Sequence, residues 1–383
     1  MKESSDAAVT PSPKPVSLAE IALLFLKLGT IAFGGPAAHI ALMEDEFVRR
    51  RKWLTHQEFL DRLGAANLIP GPSSTEMAIH IGFTKRGWPG LLVAGCCFIV
   101  PAAILVSLIA AAYVRYGSLP QVGRILYAVK PVVIAVVVQA FWNLSRSAVK
   151  SAWLAAIGIL CALAYLFRGQ ELLILAAAGI AAMSAVLIRS RTAVAMFLLA
   201  PMAAVASPPD AVPFKLWRLF LTFAKIGSVL FGSGYVLLAF LRSDFVDRLH
   251  WLTEKQLLDA VAVGQVTPGP VFTTATFIGY IVGGTRGAAV ATVAIFLPAF
   301  ILVAASGPLI PRIRRSALAG AFLDGVIVGS LALMGVVAWQ LGRAAIVDAT
   351  TVAIALVSAI LLFRFRVNSA WLVIGAAVVG WAV

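Results

Sequence analysis

The 383-residue chain is poor in charged residues and contains only three cysteines and four histidines. Asp, Glu, Lys and Arg together form 13% of the sequence, whereas hydrophobic residues form 61%. This balance lies well outside the range of soluble globular domains and excludes that class. Because the hydrophobic residues come in long blocks, we predict an all-α polytopic membrane protein.

The cysteines, Cys96, Cys97 and Cys161, lie in apolar segments with no His or carboxylate at ligand spacing. This pattern is typical of small core residues and argues against a metal site or a disulfide framework. The G-x-x-x-x-G-K-[ST] string of nucleotide-binding loops is also missing from the sequence. With no nucleophile triad or redox pair either, we predict no metal, no cofactor and no enzymatic activity.

Acidic residues are scarce: 17 Asp and Glu face 31 Lys and Arg, which gives a formal net charge of +14. In a soluble protein this excess would suggest a nucleic-acid partner. Here the basic residues cluster in short loops between apolar blocks, where they act as topology signals. We therefore predict no nucleic-acid partner.

The apolar blocks suit helices that span or nearly span a hydrocarbon core of roughly 30 Å. They cover residues 91–113, 132–144, 152–167, 172–188, 287–309, 318–341, 352–363 and 370–383. Residues 1–16, rich in Pro, Ser and Lys, predict a disordered cytosolic tail. No cleavable signal precedes the first apolar segment, so this segment is expected to stay in the protein.

The sequence repeats itself at an offset of 198 residues. Five residues of the first copy, Phe25, Lys27, Gly29, Phe33 and Gly34, return as Phe223, Lys225, Gly227, Phe231 and Gly232. Trp-Leu-Thr at 53–55 returns at 251–253, and Pro-Gly-Pro at 70–72 returns at 268–270. Duplicated halves whose apolar segments are broken by Gly and Pro at matching places are typical of transporters that bind substrate at the breaks. We assign residues 17–206 and 207–383 to the two repeats.

The distribution of basic residues predicts how the first repeat is oriented. If each long block crosses once and Pro70 marks a re-entrant hairpin, ten basic residues fall on one side and three on the other. The ten are Arg49, Arg50, Arg51, Lys52, Lys85, Arg86, Arg146, Lys150, Arg189 and Arg191, and the three are Arg115, Arg124 and Arg168. The positive-inside rule places the first side in the cytoplasm.

The second repeat shows the reverse distribution. Its loop 247–250 has lost nearly all the positive charge of 49–52, while arginines now mark the other face of the repeat, at Arg312, Arg314, Arg315, Arg364 and Arg366. This change is expected if the short apolar block 194–206 crosses the membrane and inverts the second copy. We therefore predict an inverted repeat.

A short helix is expected to begin after each Pro-Gly-Pro string. Hydroxyl residues follow Pro72, and two threonines, Thr273 and Thr274, follow the second string. A helix N-terminus offers unpaired N–H groups and about half a positive charge, which suits an oxyanion. Two such termini, one from each half, predict a pseudo-symmetric anion site at the midplane, whereas the structural alternative is a simple bend in the chain.

Lys27 and Lys225 occupy matched places in apolar segments. A buried lysine there would need an anion, and the alternative is a lysine near a helix end that snorkels to the headgroups. The glycines near positions 34 and 232 permit either close approach of a ligand or tight helix packing. The predicted substrate-binding set is Lys27, Gly34, Gly35, Asn67, Gly71, Ser73, Ser74, Thr75, Lys225, Gly232, Gln265, Gly269, Thr273 and Thr274.

Glu76 and His80 are four residues apart and share one face of the helix after Pro72. At the offset of 198, Thr274 takes the place of Glu76 in the second copy. A carboxylate beside a dianion is repulsive unless it is protonated, so the pair is either a proton-coupling element or a structural ion pair. The Trp-Leu-Thr strings predict interfacial tryptophans followed by a threonine N-cap.

Three strings carry a close resemblance to the chromate ion transporter family in its long, two-domain form. They are Phe-Gly-Gly-Pro at 33–36, Asn-Leu-Ile-Pro-Gly-Pro-Ser-Ser-Thr-Glu at 67–76, and Gly-Gln-Val-Thr-Pro-Gly-Pro-Val-Phe-Thr-Thr at 264–274. The resemblance covers residues 17–383. It implies a multi-pass protein of the bacterial or archaeal inner membrane that exports chromate and confers chromate resistance, with sulfate as a competitor.

Three kinds of alternative stay open from the residues alone, and one of them, a purely structural or partner-recruiting membrane protein, would leave the broken helices and paired lysines without a reason. Within transport, the chain could carry another oxyanion or form an anion channel from the same broken helices. Outside transport, it could be an intramembrane enzyme that uses Glu76, His80 and Lys27. A homodimer is retained as a candidate assembly, and membrane lipids are the expected surroundings.

Overall fold

The computed structural model describes residues 16–117, 119–167, 169–189, 213–231, 234 and 236–382. The tail at 1–15, the predicted crossing segment 194–206, Arg168, Arg191 and Gly232 lie outside the described residues. Within them the chain is helical, without strands. The helices are α1 Leu18–Ile31, α2 Gly35–Glu44, α3 His56–Ala66, α4 Ser73–Tyr116, α5 Pro120–Ala148, α6 Ala152–Leu166, α7 Glu171–Arg189, α8 Leu216–Val229, α9 Leu237–Leu241, α10 Glu254–Val266, α11 Thr274–Arg315, α12 Ala317–Ala345, α13 Ala349–Arg364 and α14 Ser369–Ala382.

Four of these helices are long and apolar enough to cross a membrane, namely those at Ser73–Tyr116, Pro120–Ala148, Val271–Ser306 and Ala317–Ala345. Shorter apolar helices follow in each half, α6 and α7 in the first and α13 and α14 in the second. The prediction of an all-α polytopic membrane protein is confirmed. Within the described residues, each apolar block of the sequence lies in one of these helices to within a residue at its end.

The first half opens with two hairpins of short helices. Helices of 10 to 14 residues reach only about 15 to 21 Å, less than a hydrocarbon core of about 30 Å. The ends of the first hairpin meet, since Arg51 lies 2.6 Å from Glu20. The ends of the second meet where the Lys85 ammonium donates to the Trp53 carbonyl. Both hairpins therefore return to one side of the bundle, which we call side A.

The second half builds the same two hairpins from α8 to α11. In both copies a π-helical turn follows the second short helix, at Asp45–Arg50 and Arg242–Arg248. A threonine then caps the next helix with a capping box, Thr55 with Glu58 and Thr253 with Gln256. These caps confirm the threonine N-cap that the repeated Trp-Leu-Thr string predicts.

The repeat register changes by one residue after the Pro-Gly-Pro strings. Helix α4 kinks at Arg86 and Gly87, and α11 kinks with nearly the same dihedral angles at Gly283 and Gly284, an offset of 197. The second copy accommodates the shorter segment with a 3₁₀ turn, Val271–Thr273, before α11. The equivalence of Glu76 with Thr274 stays a prediction, because the first-turn bonds of Thr75 and Thr273 to Pro72 and Pro270 still match at 198 and the residue is lost between there and the kink.

The two halves are inverted with respect to each other. Tyr113 lies about 39 Å beyond the α4 kink, because 26 residues at 1.5 Å each separate it from Gly87. Its hydroxyl nevertheless donates to Asp259, in the first half of α10, over 2.8 Å. The hairpins of the second half thus return to the side opposite side A, which we call side B. The predicted inverted repeat is confirmed.

Helices α5 and α12 form an antiparallel pair between the halves. Each has 29 residues, and they are matched at an offset of 197. Tyr127 near the start of α5 bonds to Asp348 after the end of α12, and Lys150 after the end of α5 bonds to Asp324 near the start of α12. These contacts place the end of α5 on side A and the end of α12 on side B.

The cysteines only partly follow the expectation of core residues. Cys161 is buried, Cys97 is half-buried and Cys96 is exposed on α4. Across the described parts of the chain, no group of three His, Cys, Asp or Glu side chains could hold a metal ion.

Candidate transport site

The tips of the broken helices are held by the opposite half. The Gly71 N–H donates to the Leu230 carbonyl at the end of α8, over 2.8 Å. In the reciprocal contact, the Gly269 N–H donates to the Ala32 carbonyl at the end of α1, over 2.9 Å. Both Pro-Gly-Pro loops therefore lie in the interface between the two halves.

Glycine is required at both loop centres. Gly71 has a φ of 141° and Gly269 a φ of 87°, which L side chains rarely adopt. A Cβ on Gly269 would lie 2.6 Å from the Cβ of Ala102, and one on Gly71 would collide with the Glu76 carboxyl group. The loops thus pack closely against the long helices.

A helix begins after each Pro-Gly-Pro string, as the sequence indicates. The carbonyl of Pro72 accepts from the N–H groups of Thr75 and Glu76, at 2.8 and 3.0 Å, and no side chain caps this end. The first N–H groups of α4 therefore have no intrahelical partner. The second copy begins with its 3₁₀ turn, likewise without a side-chain cap.

A polar cavity of about 330 Å³ opens at the first of these helix ends. It extends from the tip of the α3 and α4 hairpin toward the end of α5 on side A. Its walls come from both halves and include five polar side chains, Asn67, Ser73, Ser147, Lys150 and Asp324, together with Ala66, Ile69, Leu144, Ala148, Phe231, Val236, Ile327 and Leu331. We call it the side A cavity.

Two oppositely charged residues of the side A cavity form an ion pair. Lys150 lies 2.7 Å from Asp324, and the Lys150 side chain is 60% exposed and that of Asp324 33%. The ammonium group attracts an oxyanion, whereas the carboxylate repels the anion and competes for the same lysine. An anion that enters the cavity can therefore replace Asp324 as the partner of Lys150.

A second groove, of about 400 Å³, lies between α5, α10 and α14 and has a different character. It is lined by apolar side chains, among them Ile125, Val263, Val373 and Trp381. Without a polar group it cannot replace the hydration of an oxyanion. The side A cavity is the better candidate for substrate.

Glu76 lies directly behind the first Pro-Gly-Pro loop. Its side chain is fully buried, and neither carboxyl oxygen has a hydrogen-bond partner in the structure. His80, one turn on, is also buried, and its Nε2 is unpartnered. The structural alternative of an ion pair between them is not realised.

His39 connects the two hairpin tips of the first half and was not anticipated from the sequence. Its Nε2 donates to the Ala32 carbonyl at 3.1 Å, and its Nδ1 lies 3.2 Å from the Ser74 hydroxyl. Ser74 is thereby committed to the scaffold. Of the predicted hydroxyl residues in this copy, Ser73 faces the cavity, and Thr75 is buried with an unpartnered Oγ1.

The predicted residues of the second copy are closely packed. The hydroxyls of Thr273 and Thr274 donate to the carbonyls of Pro270 and Val271, both over 2.8 Å. Gln265 is buried, and its Nε2 has no hydrogen-bond partner. This half presents no counterpart of Ser73, because Val271 begins the turn here.

The two matched lysines are not brought together. Lys27 lies on the exposed face of α1, beside Leu23 and Leu26. Lys225 is paired with the buried Asp244 at 2.6 Å, and Asp244 also binds Arg248. Neither lysine lines the side A cavity. The cavity instead takes its cation from Lys150.

Gly34 and Gly35 form the break between α1 and α2, with φ values of 104° and 76°. A Cβ on Gly34 would lie 3.2 Å from the amide nitrogen of Asn368. These two glycines therefore turn the chain and permit close packing next to the Gly269 loop.

Sequence reasoning missed the roles of Lys150 and Asp324 in the cavity. Lys150 was interpreted as a topology signal. Asp324 offered a clearer sign, because it is a lone carboxylate within the apolar block 318–341. An ionisable residue inside such a block is a functional candidate by default.

An inverted repeat of broken helices around a polar cavity is the architecture of a membrane transporter. The profile of the family described as "Chromate transporter" matches residues 19–183 and again 217–381. The chain belongs to this family, with one copy of the family domain in each half.

Several relatives align with nearly the whole chain. A "Chromate transport protein" of Cupriavidus metallidurans is 31% identical over 374 residues, which cover 95% of this chain and 92% of the relative. Another, of Pseudomonas aeruginosa, is 31% identical over 100% of this chain and 96% of the relative. An "Uncharacterized transporter" of Methanocaldococcus jannaschii is 27% identical over 96% and 94%. No solved structure matches the chain.

Proposed function

We propose that this protein is a secondary transporter that exports chromate from the cytoplasm and thereby confers chromate resistance. The observation that carries the proposal is the side A cavity, whose lining includes both Ser73 at the uncapped start of α4 and Lys150. Backbone N–H groups, hydroxyls and one lysine are suitable ligands for a tetrahedral dianion. Relatives named as chromate transport proteins support chromate as the cargo.

The direction of transport follows from membrane electrostatics. A dianion that leaves a cell with a negative interior gains about 4.6 kcal/mol per 100 mV, twice the value for a single charge. That free energy alone supports export against a large gradient. On this proposal side A is cytoplasmic, as the excess of basic residues on that side indicates. The protein then lies in the inner membrane.

We propose that Glu76 couples transport to protons. An ionised carboxylate without partners is costly to bury, and Glu76 lies against the loop that forms the transport site. Binding of a proton would neutralise it when the dianion is near, with His80 as the adjacent titratable group. The other residues of the predicted substrate-binding set, from Lys27 to Thr274, remain in the proposal. We propose that they contact the oxyanion in other conformational states of the transport cycle.

The test is uptake of radiolabelled chromate into everted membrane vesicles that contain the protein, with and without excess sulfate. Energy-dependent uptake that sulfate reduces is the expected result, since sulfate is a tetrahedral dianion of similar shape. Counterflow of chromate against a preloaded pool distinguishes a carrier from a channel. A functional preparation that transports sulfate but not chromate would assign the site to another oxyanion. Crosslinking in the same membranes tests the proposed homodimer.

A further inference from the structure

A buried charge cluster joins the two halves near side B. Lys130 of α5 lies 3.1 Å from Asp259 of α10, and the Tyr113 hydroxyl donates to the same carboxylate over 2.8 Å. The side chain of Asp259 is 0% exposed and that of Lys130 is 13% exposed. Charged side chains at such depth are costly, so each needs a partner or a function.

Lys130 has a matched position in the other half. At the offset of 197 between α5 and α12, its counterpart is Ile327. Ile327 lines the side A cavity. Lys130 therefore occupies, within the second half-site, the place that faces substrate in the first.

The second half-site is closed in this structure. Helix α10 packs against α5, α12 and α14, and every residue from Leu257 to Gln265 is buried. Helix α3, its counterpart, packs on α4 and α11 and buries only Phe59, Ala65 and Ala66. The two homologous hairpins thus adopt a packed and an open arrangement within one molecule.

An inverted repeat can exchange these two arrangements between its halves. If α10 moved away as α3 has done, Asp259 would become exposed, as its counterpart Asp61 is now. A cavity would then open to side B, lined by the counterparts of the present walls. Those counterparts include Lys130 and Gln265, whose Nε2 already lacks a partner.

We infer that Lys130 is an oxyanion-binding residue of the state open to side B, and that Asp259, which accepts a hydrogen bond from Tyr113, neutralises it while that side is closed. The inference rests on the proposed function, since it assigns the oxyanion a second contact on its path. An ammonium and a free amide donor suit a tetrahedral dianion, as Lys150 and Asn67 do on side A. When side B opens, Lys130 thus leaves Asp259 and binds the oxyanion. Lys150 does the same with Asp324 on side A.

The test compares the two sides of the membrane. Chromate exchange is measured in everted and in right-side-out vesicles for wild type, Lys130→Met and Lys150→Met. Loss of a charge-assisted contact predicts a KM roughly tenfold higher from side B alone in Lys130→Met, and from side A alone in Lys150→Met. Lys130→Arg should retain most of the affinity. If Lys130→Met alters both sides equally, or neither, Lys130 is only structural and the inference fails.

A second measurement needs no chromate transport. In a background with all three cysteines replaced by alanine, the Gln265→Cys thiol should react with an impermeant thiol reagent from side B only. Asp259→Asn should speed the reaction, and sulfate should slow it unless Lys130→Met is also present. If wild type transports no chromate, the proposed function fails, and sulfate protection still decides the inference. Reaction from side A, or no effect of sulfate, overturns it.

Discussion

Asp61 and Asp259 occupy the same position in the two copies of the repeat, yet their side chains lie in opposite environments. Asp61 is exposed on α3, whereas Asp259 is fully buried on α10, 3.1 Å from Lys130. If the two homologous hairpins had the same conformation and packing, both Asp side chains would be exposed or both would be buried. The difference shows that the two halves adopt different arrangements, open at the first hairpin pair and closed at the second.

The ion pair in the side A cavity leads to two opposite predictions for affinity. Lys150→Met should raise the KM for chromate from side A about tenfold, because a charge-assisted contact is lost. Asp324→Asn should lower this KM, because the lysine is released and a repulsive charge is removed. Initial rates of chromate uptake in everted vesicles measure both.

Arg146→Met is the matched control for this pair. Arg146 is exposed near the end of the same helix but does not line the cavity, so its loss should leave the KM unchanged. An equal rise in Arg146→Met and Lys150→Met would mean that general surface charge, rather than the cavity, attracts the anion.

Glu76→Gln should retain transport but lose much of its pH dependence. Glutamine has nearly the same shape and cannot bind or release a proton, and Glu76 has no hydrogen-bond partner to lose. Chromate uptake measured over a series of external pH values, with the voltage clamped by an ionophore, gives the comparison. Asp61→Asn, an exposed carboxylate on the adjacent helix, is the control. An unchanged pH profile in Glu76→Gln would remove Glu76 from the coupling mechanism.

The repeat made much of this fold predictable, because two copies of one pattern reveal which positions are constrained. The Pro-Gly-Pro breaks, the threonine caps and the inversion could all be derived from matched residues. The candidate site was harder to predict from the sequence, because its key contacts are not repeated in the two copies. Lys150 and Asp324 have Val347 and Tyr127 as counterparts, so a search for matched residues favoured Lys27 and Lys225 instead.

Register changes were a second source of error. The offset of 198 holds through Pro270, and the loss of one residue before the kink is easily missed because of the low complexity of the following apolar helix. Matched residues beyond the kink show it, since Gly90 returns as Gly287 and Trp142 as Trp339, both at 197, and the dihedral angles at Gly87 and Gly284 agree. Pairings within the long helices, such as that of Lys130 with Ile327, follow only when the second offset is used, and the offset of 198 alone misassigns them.

Thiol labelling should show that the matched helices α3 and α10 begin on opposite sides of the membrane. Gln57 and Lys255 are matched, exposed residues in the first turns of α3 and α10. In the cysteine-free background, Gln57→Cys should react with an impermeant thiol reagent only from the cytoplasmic side, and Lys255→Cys only from the outside. Intact cells and everted vesicles provide the two exposures. Identical accessibility of both positions would contradict the inverted arrangement.

The close approach of the Gly269 loop to α4 predicts a specific sensitivity to added volume. Gly269→Ala should destabilise the protein, since a positive φ costs on the order of 1–3 kcal/mol for a residue other than glycine. The new Cβ also meets that of Ala102 at 2.6 Å, so Ala102→Gly in the same chain should recover part of the loss. Gly123→Ala in α5, where nothing lies within 4 Å of an added Cβ, should be neutral or slightly stabilising, since alanine favours a helix. Melting of the detergent-purified proteins and chromate uptake give both readouts. Equal melting temperatures for Gly269→Ala and Gly123→Ala would show that the loop tolerates a side chain, and that its contact with the opposite half is not tight enough to hold the transport site.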